Sequence, residues 1–231
     1  MPDGGVGTRS EVWHDDLVVR VDVERLRKVF PDGTVAVDDV DLSIADAERF
    51  VLLGPSGCGK TTVLRILAGL ERATSGCVRF DDRIARGGVE QGLAMMFQQS
   101  ALYPYRTVRQ NISFPLEMAR TDRGEIDRRV VDVAERLGIA DVLDVRPHRL
   151  SGGQRQRDAM GRAMVRDPRI LLMDEPMSNL DAKLRSGLRA ELVEIQRHLA
   201  ITALLVTHDQ VEAMSFGDRI AVMRSGRVVQ V

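Results

Sequence analysis

Two stretches near the start of the chain, LVVRVDVERL and TVAVDDVDLSI, alternate apolar and polar residues with a period of two, the pattern of half-buried strands. Between them PDGT, Pro31 to Thr34, predicts a hairpin turn. Four shorter runs, RFVLLG, GLAMMF, RILLMDE and TALLVTH, are nearly apolar throughout and read as strands buried on both faces. Elsewhere the period shifts to that of a helix: in TTVLRILAGL, over Glu125 to Leu137, in SGGQRQRDAMGRAMV from near Ser151, and in AKLRSGLRAELVEIQRHL, whose outer positions are charged. RIAVMRSGRVVQV predicts a closing hairpin about Ser225 and Gly226, and QQSALYPYRTVRQNISFP, broken by proline and aromatics, reads as a surface segment. Residues 1–16 show no period and read as a flexible tail. Buried strands alternating with helices predict an α/β fold with a mostly parallel sheet covered by helices.

Composition narrows the function classes. The 231 residues suit one large domain or two small subdomains. A formal net charge of -1 gives no basic excess for nucleic acid, and aromatics at 4% leave little for stacking on bases. No apolar run is long enough to cross a bilayer, the N-terminus lacks an apolar signal core, and Cys58 and Cys77 make no secretory framework. The expectation is a soluble cytoplasmic protein that reaches a membrane only through a partner.

Chemistry enters with GPSGCGKTT. Gly54, Pro55, Ser56, Gly57, Cys58, Gly59, Lys60 and Thr61 match G-x-x-x-x-G-K-[ST] in full, and Thr62 follows. Glycines let backbone N–H groups turn toward phosphates, and the helix starting near Lys60 directs its positive end at them. Lys60 is placed for β- and γ-phosphates and Thr61 for Mg²⁺. Cys58 fills a variable position as a small side chain. Asp174 and Glu175 end a buried strand. Alone they would read as solvated acids; beside a phosphate loop Asp174 is a candidate magnesium ligand and Glu175 a candidate to polarise the attacking water. His208, at the end of another buried strand, is a structural histidine or a γ-phosphate donor. Gln98 suits the γ-phosphate or Mg²⁺, and Gln99 beside it leaves the assignment open by one residue. A second glycine loop, LSGGQRQR, lies far downstream at residues 150–157.

Taken together, GPSGCGKTT, FQQ, LSGGQ, ILLMDE, SNLD and THD, in that order, resemble the nucleotide-binding subunit of an ABC transporter over about residues 17–231. The resemblance implies a P-loop NTPase with a RecA-like core, an antiparallel β subdomain and an α-helical subdomain inserted at about residues 100–160. It implies ATP and Mg²⁺ as cofactors and a second ATPase subunit paired head to tail. Ser151, Gly152, Gly153 and Gln154 would then close over ATP bound to the other subunit, which accounts for a second loop so far from the first. Asp181 of SNLD would lie across that interface, and Phe30 would stack on adenine; its bland reading is a hairpin aromatic.

ALYPY, LSGGQRQR, DEPMSNLDAKLR and VTHDQVEAM look like the ATPases of bacterial carbohydrate importers of the maltose, trehalose and glycerol-phosphate type. This implies transmembrane permease subunits contacted by about Ser100 to Arg120, an extracytoplasmic solute-binding protein acting indirectly, no nucleic acid, and a place on the cytoplasmic face of the membrane. Importers of polyamine, metal or inorganic ions and a degenerate subunit with little turnover are the alternatives. A chromosome-maintenance ATPase would need a long coiled coil between Lys60 and Asp174, and a translation-associated protein two cassettes. Several positions depart from the branch. Asp158 stands where a small apolar residue is usual and is expected to disturb the helix packing or pair with a neighbouring arginine. Met177 replaces leucine, Tyr105 histidine and Ala47 glycine. The chain stops at Val231, where the branch continues into a β-rich regulatory domain.

Overall fold

The computed structural model describes residues 19–85, 92–98, 101–178 and 182–231; Gln99, Ser100, Asp181 and the expected 1–16 tail lie outside them. β1 (Val21–Val29) and β2 (Val35–Ile44) form the expected hairpin, closed by the Phe30 amide on the Thr34 carbonyl and the Gly33 amide on the Phe30 carbonyl, both 2.9 Å. β3 (Arg49–Leu53) leads through the first glycine loop into α1 (Lys60–Leu67). β4 (Ser75–Phe80) and β5 (Arg83–Ile84) follow, and β4 pairs with β1 to build an antiparallel sheet of order β2-β1-β4-β5. These two short strands escape the sequence pattern because much of their surface is exposed.

The second sheet takes its strands from distant parts of the chain: β6 (Leu93–Met96), β7 (Ile170–Asp174), β8 (Thr202–Thr207), β9 (Arg219–Arg224) and β10 (Arg227–Gln230). Its order is β10-β9-β3-β8-β7-β6, parallel throughout except for β10. The mostly parallel sheet is therefore as expected.

Each central strand feeds two cores, because successive side chains point to opposite faces. Phe50, Leu52, Leu172, Leu204 and Val206 face the antiparallel sheet and α1. Val51, Leu171, Met173, Ala203 and Leu205 face the opposite, helical layer. That layer contains α2 (Val108–Met118), α3 (Arg123–Arg136), α4 (Gly152–Met164), α5 (Ala182–Leu199) and α6 (Gln210–Phe216).

Helix α2 corrects the reading of residues 98–115 as surface. Val108 and Ile112 are fully buried and Leu116 nearly so, at the helical spacing i, i+4, i+8. Thr107 caps the helix in a reciprocal box with Gln110. Pro115 lies inside α2 and removes one helical N–H, which is why its sequence reads as broken.

The first glycine loop is wedged between the two sheets. At Gly59, with φ 105°, a Cβ would stand 2.1 Å from the Ala36 carbonyl oxygen of β2. At Gly57, with φ 79°, a Cβ would meet open space. Ala47 also holds a left-handed φ of 51°, which accounts physically for the glycine usual there in the resembled branch.

Asp158 is fully buried in α4, and neither carboxylate oxygen has a hydrogen-bond partner. Burial pushes its carboxyl up to about 7, against an ordinary 3.8, with Arg162 pulling the other way.

Two stability predictions follow from the loop and the helix. Gly57→Ala is strained only by its backbone and should cost about 1–2 kcal/mol, whereas Gly59→Ala adds a backbone clash and should cost clearly more; urea denaturation of the two variants compares them. For Asp158 the folded pKa exceeds the unfolded one, so stability falls as pH climbs from about 4 to about 7 and is level above. Asp158→Val should thus stabilise the protein on the order of 4 kcal/mol more at pH 8 than at pH 4, measured as the difference in urea midpoints converted to free energy.

Candidate functional site

The parallel register brings four strand ends into one row. Leu53 of β3 stands opposite Thr207 of β8, Val206 opposite Asp174 of β7, and Met173 opposite Met96 of β6. Whatever follows these residues emerges at the carboxyl edge of the sheet, where crevices form in open α/β folds. Gly54, Gln98, Glu175 and His208 all do so.

At this edge the loop from Gly54 to Gly59 turns into α1. The Gly54 amide donates to the Thr207 carbonyl at 3.3 Å, and the Gly226 amide donates to the Cys58 carbonyl at 3.0 Å, so strand β8 and the β9–β10 turn brace it. Pro55, Ser56 and Gly57 are exposed, and Thr62 is half-buried in the first turn of α1. Lys60 is buried, its ammonium donating to the carbonyls of Gly54 at 2.8 Å and Pro55 at 3.0 Å, with the buried Cys58 Sγ at 3.9 Å. Its charge is thus held over the loop by neutral oxygens, partners that an anion would replace.

Thr61 Oγ1 donates to Asp174 Oδ1 at 2.9 Å, joining α1 to the end of β7. Asp174 is buried, and this raises its carboxyl pKa; the Thr61 bond lowers it, the Glu175 charge raises it, and Lys60 and Arg65 oppose that. Hydroxyl and carboxylate oxygens side by side suit magnesium, which takes few protein oxygens and completes its shell with water and phosphate. Among the described residues no group of three or more His, Cys, Asp or Glu could hold a metal unaided.

Glu175 adopts a left-handed φ of 43°, unusual for a residue with a side chain. Its amide donates to the Val206 carbonyl at 2.9 Å, and its carbonyl accepts from the Ser178 amide at 3.2 Å and hydroxyl at 3.0 Å. These bonds hold a conformation that costs about 1–3 kcal/mol. The result is a carboxylate 3.1 Å from His208 Nδ1 and 3.5 Å from Gln98 Nε2. Lys60, Thr61 and Asp174 form one contact group and Glu175, His208 and Gln98 another, side by side on the sheet edge.

The second glycine loop is not in this group. Ser151 caps α4: its Oγ accepts from the Gln154 amide at 3.2 Å while Gln154 Oε1 accepts from the Ser151 amide at 3.0 Å. The cap leaves first-turn N–H groups of Gly152 and Gly153 as the donors of an anion-ready helix end. α4 packs chiefly on α2, α3 and β6, not on α1. Phe30 stands at the β1–β2 turn with Lys28 Nζ 5.1 Å from its ring centroid.

One group escaped the sequence reading. Arg185 of α5 donates to Asp209 Oδ2 at 3.2 Å; Thr207 Oγ1 donates to the buried Glu212 Oε2 at 2.6 Å and accepts from the Asp209 amide at 3.0 Å. These bonds hold both neighbours of His208. The signal was present in DQVE, a capping pattern in which Asp209 Oδ1 accepts from Val211 and Glu212 amides at 2.7 and 3.2 Å.

Comparison with known proteins agrees with this arrangement. The sequence profile of the ABC transporter family matches residues 37–178. The trehalose/maltose import ATP-binding protein MalK of Thermococcus litoralis is 53% identical over 88% of this chain and 57% of its own length. The xylose/arabinose import ATP-binding protein XacJ of Haloferax volcanii is 56% identical over 92% of the chain and 56% of its own. The chain thus spans about half the length of the curated relatives it matches. Among solved structures, cbiO1 of Clostridium perfringens, part of the ABC transporter complex cbiONQ, superposes with TM-score 0.83 at 30% identity, covering 90% of this chain and 86% of that one. The ATP-binding cassette MJ0796, solved as a dimer in a post-hydrolysis state with ADP and Pi, superposes with TM-score 0.80 at 29% identity, covering 91% and 97%. With its phosphate loop, acidic strand end and second glycine loop in family order on this fold, the chain belongs to the ABC transporter family.

Proposed function

We propose that the chain is the ATP-binding and ATP-hydrolysing unit of an importer, and that the imported solute is a carbohydrate. The observation that carries the first part is the row of strand ends that sets Lys60, Thr61–Asp174 and Glu175–His208–Gln98 along one edge. The second part rests on relatives named for import of trehalose, maltose, xylose and arabinose. sn-Glycerol-3-phosphate import, named for other relatives at 48–50% identity, is the neighbouring alternative.

In this reading the backbone of Gly54 to Gly59 surrounds the phosphates, and the Lys60 ammonium exchanges the Gly54 and Pro55 carbonyls for β- and γ-phosphate oxygens. Thr61, Asp174 and Gln98 would hold Mg²⁺, which neutralises charge on the β- and γ-phosphates. Glu175 accepts the proton of a water that attacks the γ-phosphorus in line; the bond from that phosphorus to the bridging oxygen breaks, releasing ADP and inorganic phosphate. His208 turns from Glu175 to the γ-phosphate. Phe30 stacks on adenine.

Ser151, Gly152, Gly153 and Gln154 complete the site of a second copy arranged head to tail. Two features support this: α4 stands apart from the phosphate loop of its own chain, and MJ0796 is dimeric. Asp181 lies across that interface. A helical subdomain at about residues 100–160 faces permease subunits on the cytoplasmic side of the membrane, with contact over about Ser100 to Arg120. No helix among the described residues is long and apolar enough to cross a membrane itself.

Mg-ATP turnover and ATP binding, measured over a range of protein concentrations, test the assignment. Glu175→Gln should keep ATP affinity, lower kcat by about 10²–10⁴ and accumulate as an ATP-bound dimer. Lys60→Ala should weaken ATP binding by about ten- to a hundredfold, the value of a lost charged hydrogen bond. Full turnover by Glu175→Gln would remove its role as base, and unchanged affinity in Lys60→Ala would remove the phosphate contact.

A further inference from the structure

Helix α4 and residues 101–106 meet through Arg162. Its guanidinium donates to the Ala101 carbonyl at 2.7 Å and lies 5.5 Å from the centroid of the Tyr103 ring. Tyr103 packs against Phe114 of α2 with the rings tilted by 58° and centroids 4.7 Å apart, and the Arg106 guanidinium lies 4.7 Å from the Phe114 centroid. The Tyr103 amide donates to Asn111 Oδ1 at 2.8 Å. Residues 101–106 are thus clamped between α2 and the last turn of α4.

Asp158 precedes Arg162 by four residues, one turn earlier on the same helix face, where side chains meet. It is fully buried with both oxygens unpartnered. Charged side chains on the elements packed against α4 are engaged elsewhere or exposed. On α2, Arg109 pairs with Asp144, and Glu117 with Arg106 and Ser113. On α3, Arg128 and Arg129 pair with Glu125, Arg129 also with Asp167, and Arg136 with Asp132. Arg123, Asp127 and Glu135 of α3 are exposed, and β6 carries no charge. Among the described residues Arg162 is the charge that acts on Asp158, while both Asp158 and Tyr103 act on Arg162.

We propose that Arg162 is a positioning residue that exchanges the Ala101 carbonyl for the Asp158 carboxylate, and that the proton on Asp158 governs the exchange, loosening the tie from α4 to residues 101–106 as pH rises. The energetics set the direction. A buried carboxylate without a partner is costly. A guanidinium is held more strongly by a carboxylate than by a neutral carbonyl, because both partners then carry charge. Loss of the Asp158 proton to solvent therefore draws Arg162 from Ala101 toward Asp158. The carboxyl value of about 7 puts the exchange near neutral pH. With Ala101 released, residues 101–106 are held mainly by α2, through the Asn111 and Phe114 contacts of Tyr103. The partner exchange does not depend on the ATPase reading above; its effect on turnover rests on that reading.

The chain has two tyrosines, Tyr103 and Tyr105, so ring-labelled tyrosine gives an NMR probe that Tyr105→Phe assigns. Tyr105 is 88% exposed and serves as the internal reference. Between about pH 5.5 and 8.5 the Tyr103 ring signals should titrate with a midpoint near the Asp158 value. Asp158→Asn and Asp158→Val should each abolish that titration, and Asp158→Glu should restore it with a shifted midpoint. Mg-ATP turnover of the same proteins should show a several-fold change in the ratio of wild type to Asp158→Asn across the same interval. A Tyr103 signal that does not titrate, or titrates unchanged in Asp158→Asn, overturns the exchange whatever the turnover does. A titrating ring with no hydrolysis at any pH keeps the exchange and overturns the ATPase reading instead.

Discussion

β3, β8, β7 and β6 run parallel and in register, and the site depends on this one constraint. Parallel strands joined by crossovers end on the same side of the sheet, and the residues after them share a crevice. Here the register sets Leu53 beside Thr207, Val206 beside Asp174 and Met173 beside Met96. A slip by one residue would exchange the two faces of a strand. Phe50 and Leu52 would leave one core, Val51 would leave the other, and the groups beyond the strand ends would lose alignment. Hydrophobic packing on both faces thus holds a polar arrangement that makes few strong contacts of its own.

Within that arrangement the reactive groups are held by partners that they can exchange. The Lys60 ammonium rests on two carbonyls, Thr61 on Asp174, and Glu175 on His208 and Gln98. Each is a short-range bond between groups that the proposed chemistry would part. Buried polar groups need partners, and mutual satisfaction keeps the site ordered without fixing it in one state. Glu175 shows the cost: three backbone bonds hold a left-handed conformation so that the carboxylate faces the crevice.

Asp158 is the exception to mutual satisfaction. Every charged pair described on α2 and α3 lies at least partly toward solvent, whereas Asp158 is enclosed in the apolar helical layer and has no acceptor bond. It lies among the buried residues of α4 with Gln156, Ala159, Met160 and Gly161. At Gly161 of the same helix a Cβ would come within 2.9 Å of the Ile112 side chain, so α4 and α2 are in close contact there.

Much of the protein was legible in the sequence because its signals are local. The central strands announced themselves as apolar runs, α4 by the helical period of SGGQRQRDAMGRAMV, and the first glycine loop by a motif in which spacing, backbone freedom and charge act within nine residues. Pro115 hid α2, since a proline lowers helical propensity whatever the burial of Val108 and Ile112. β4 and β5 were hidden because pairing, of β4 with β1 and of β5 with β4, makes them strands, not hydrophobicity. Three decisions belonged to the tertiary structure alone: the contact of Glu175 with His208 and Gln98, the Arg185 tie to Asp209, and the choice of Arg162 between Ala101 and Asp158. Each joins groups distant in sequence, or weighs a desolvation cost set by the surrounding elements, and neither distance nor burial is written in the order of the residues.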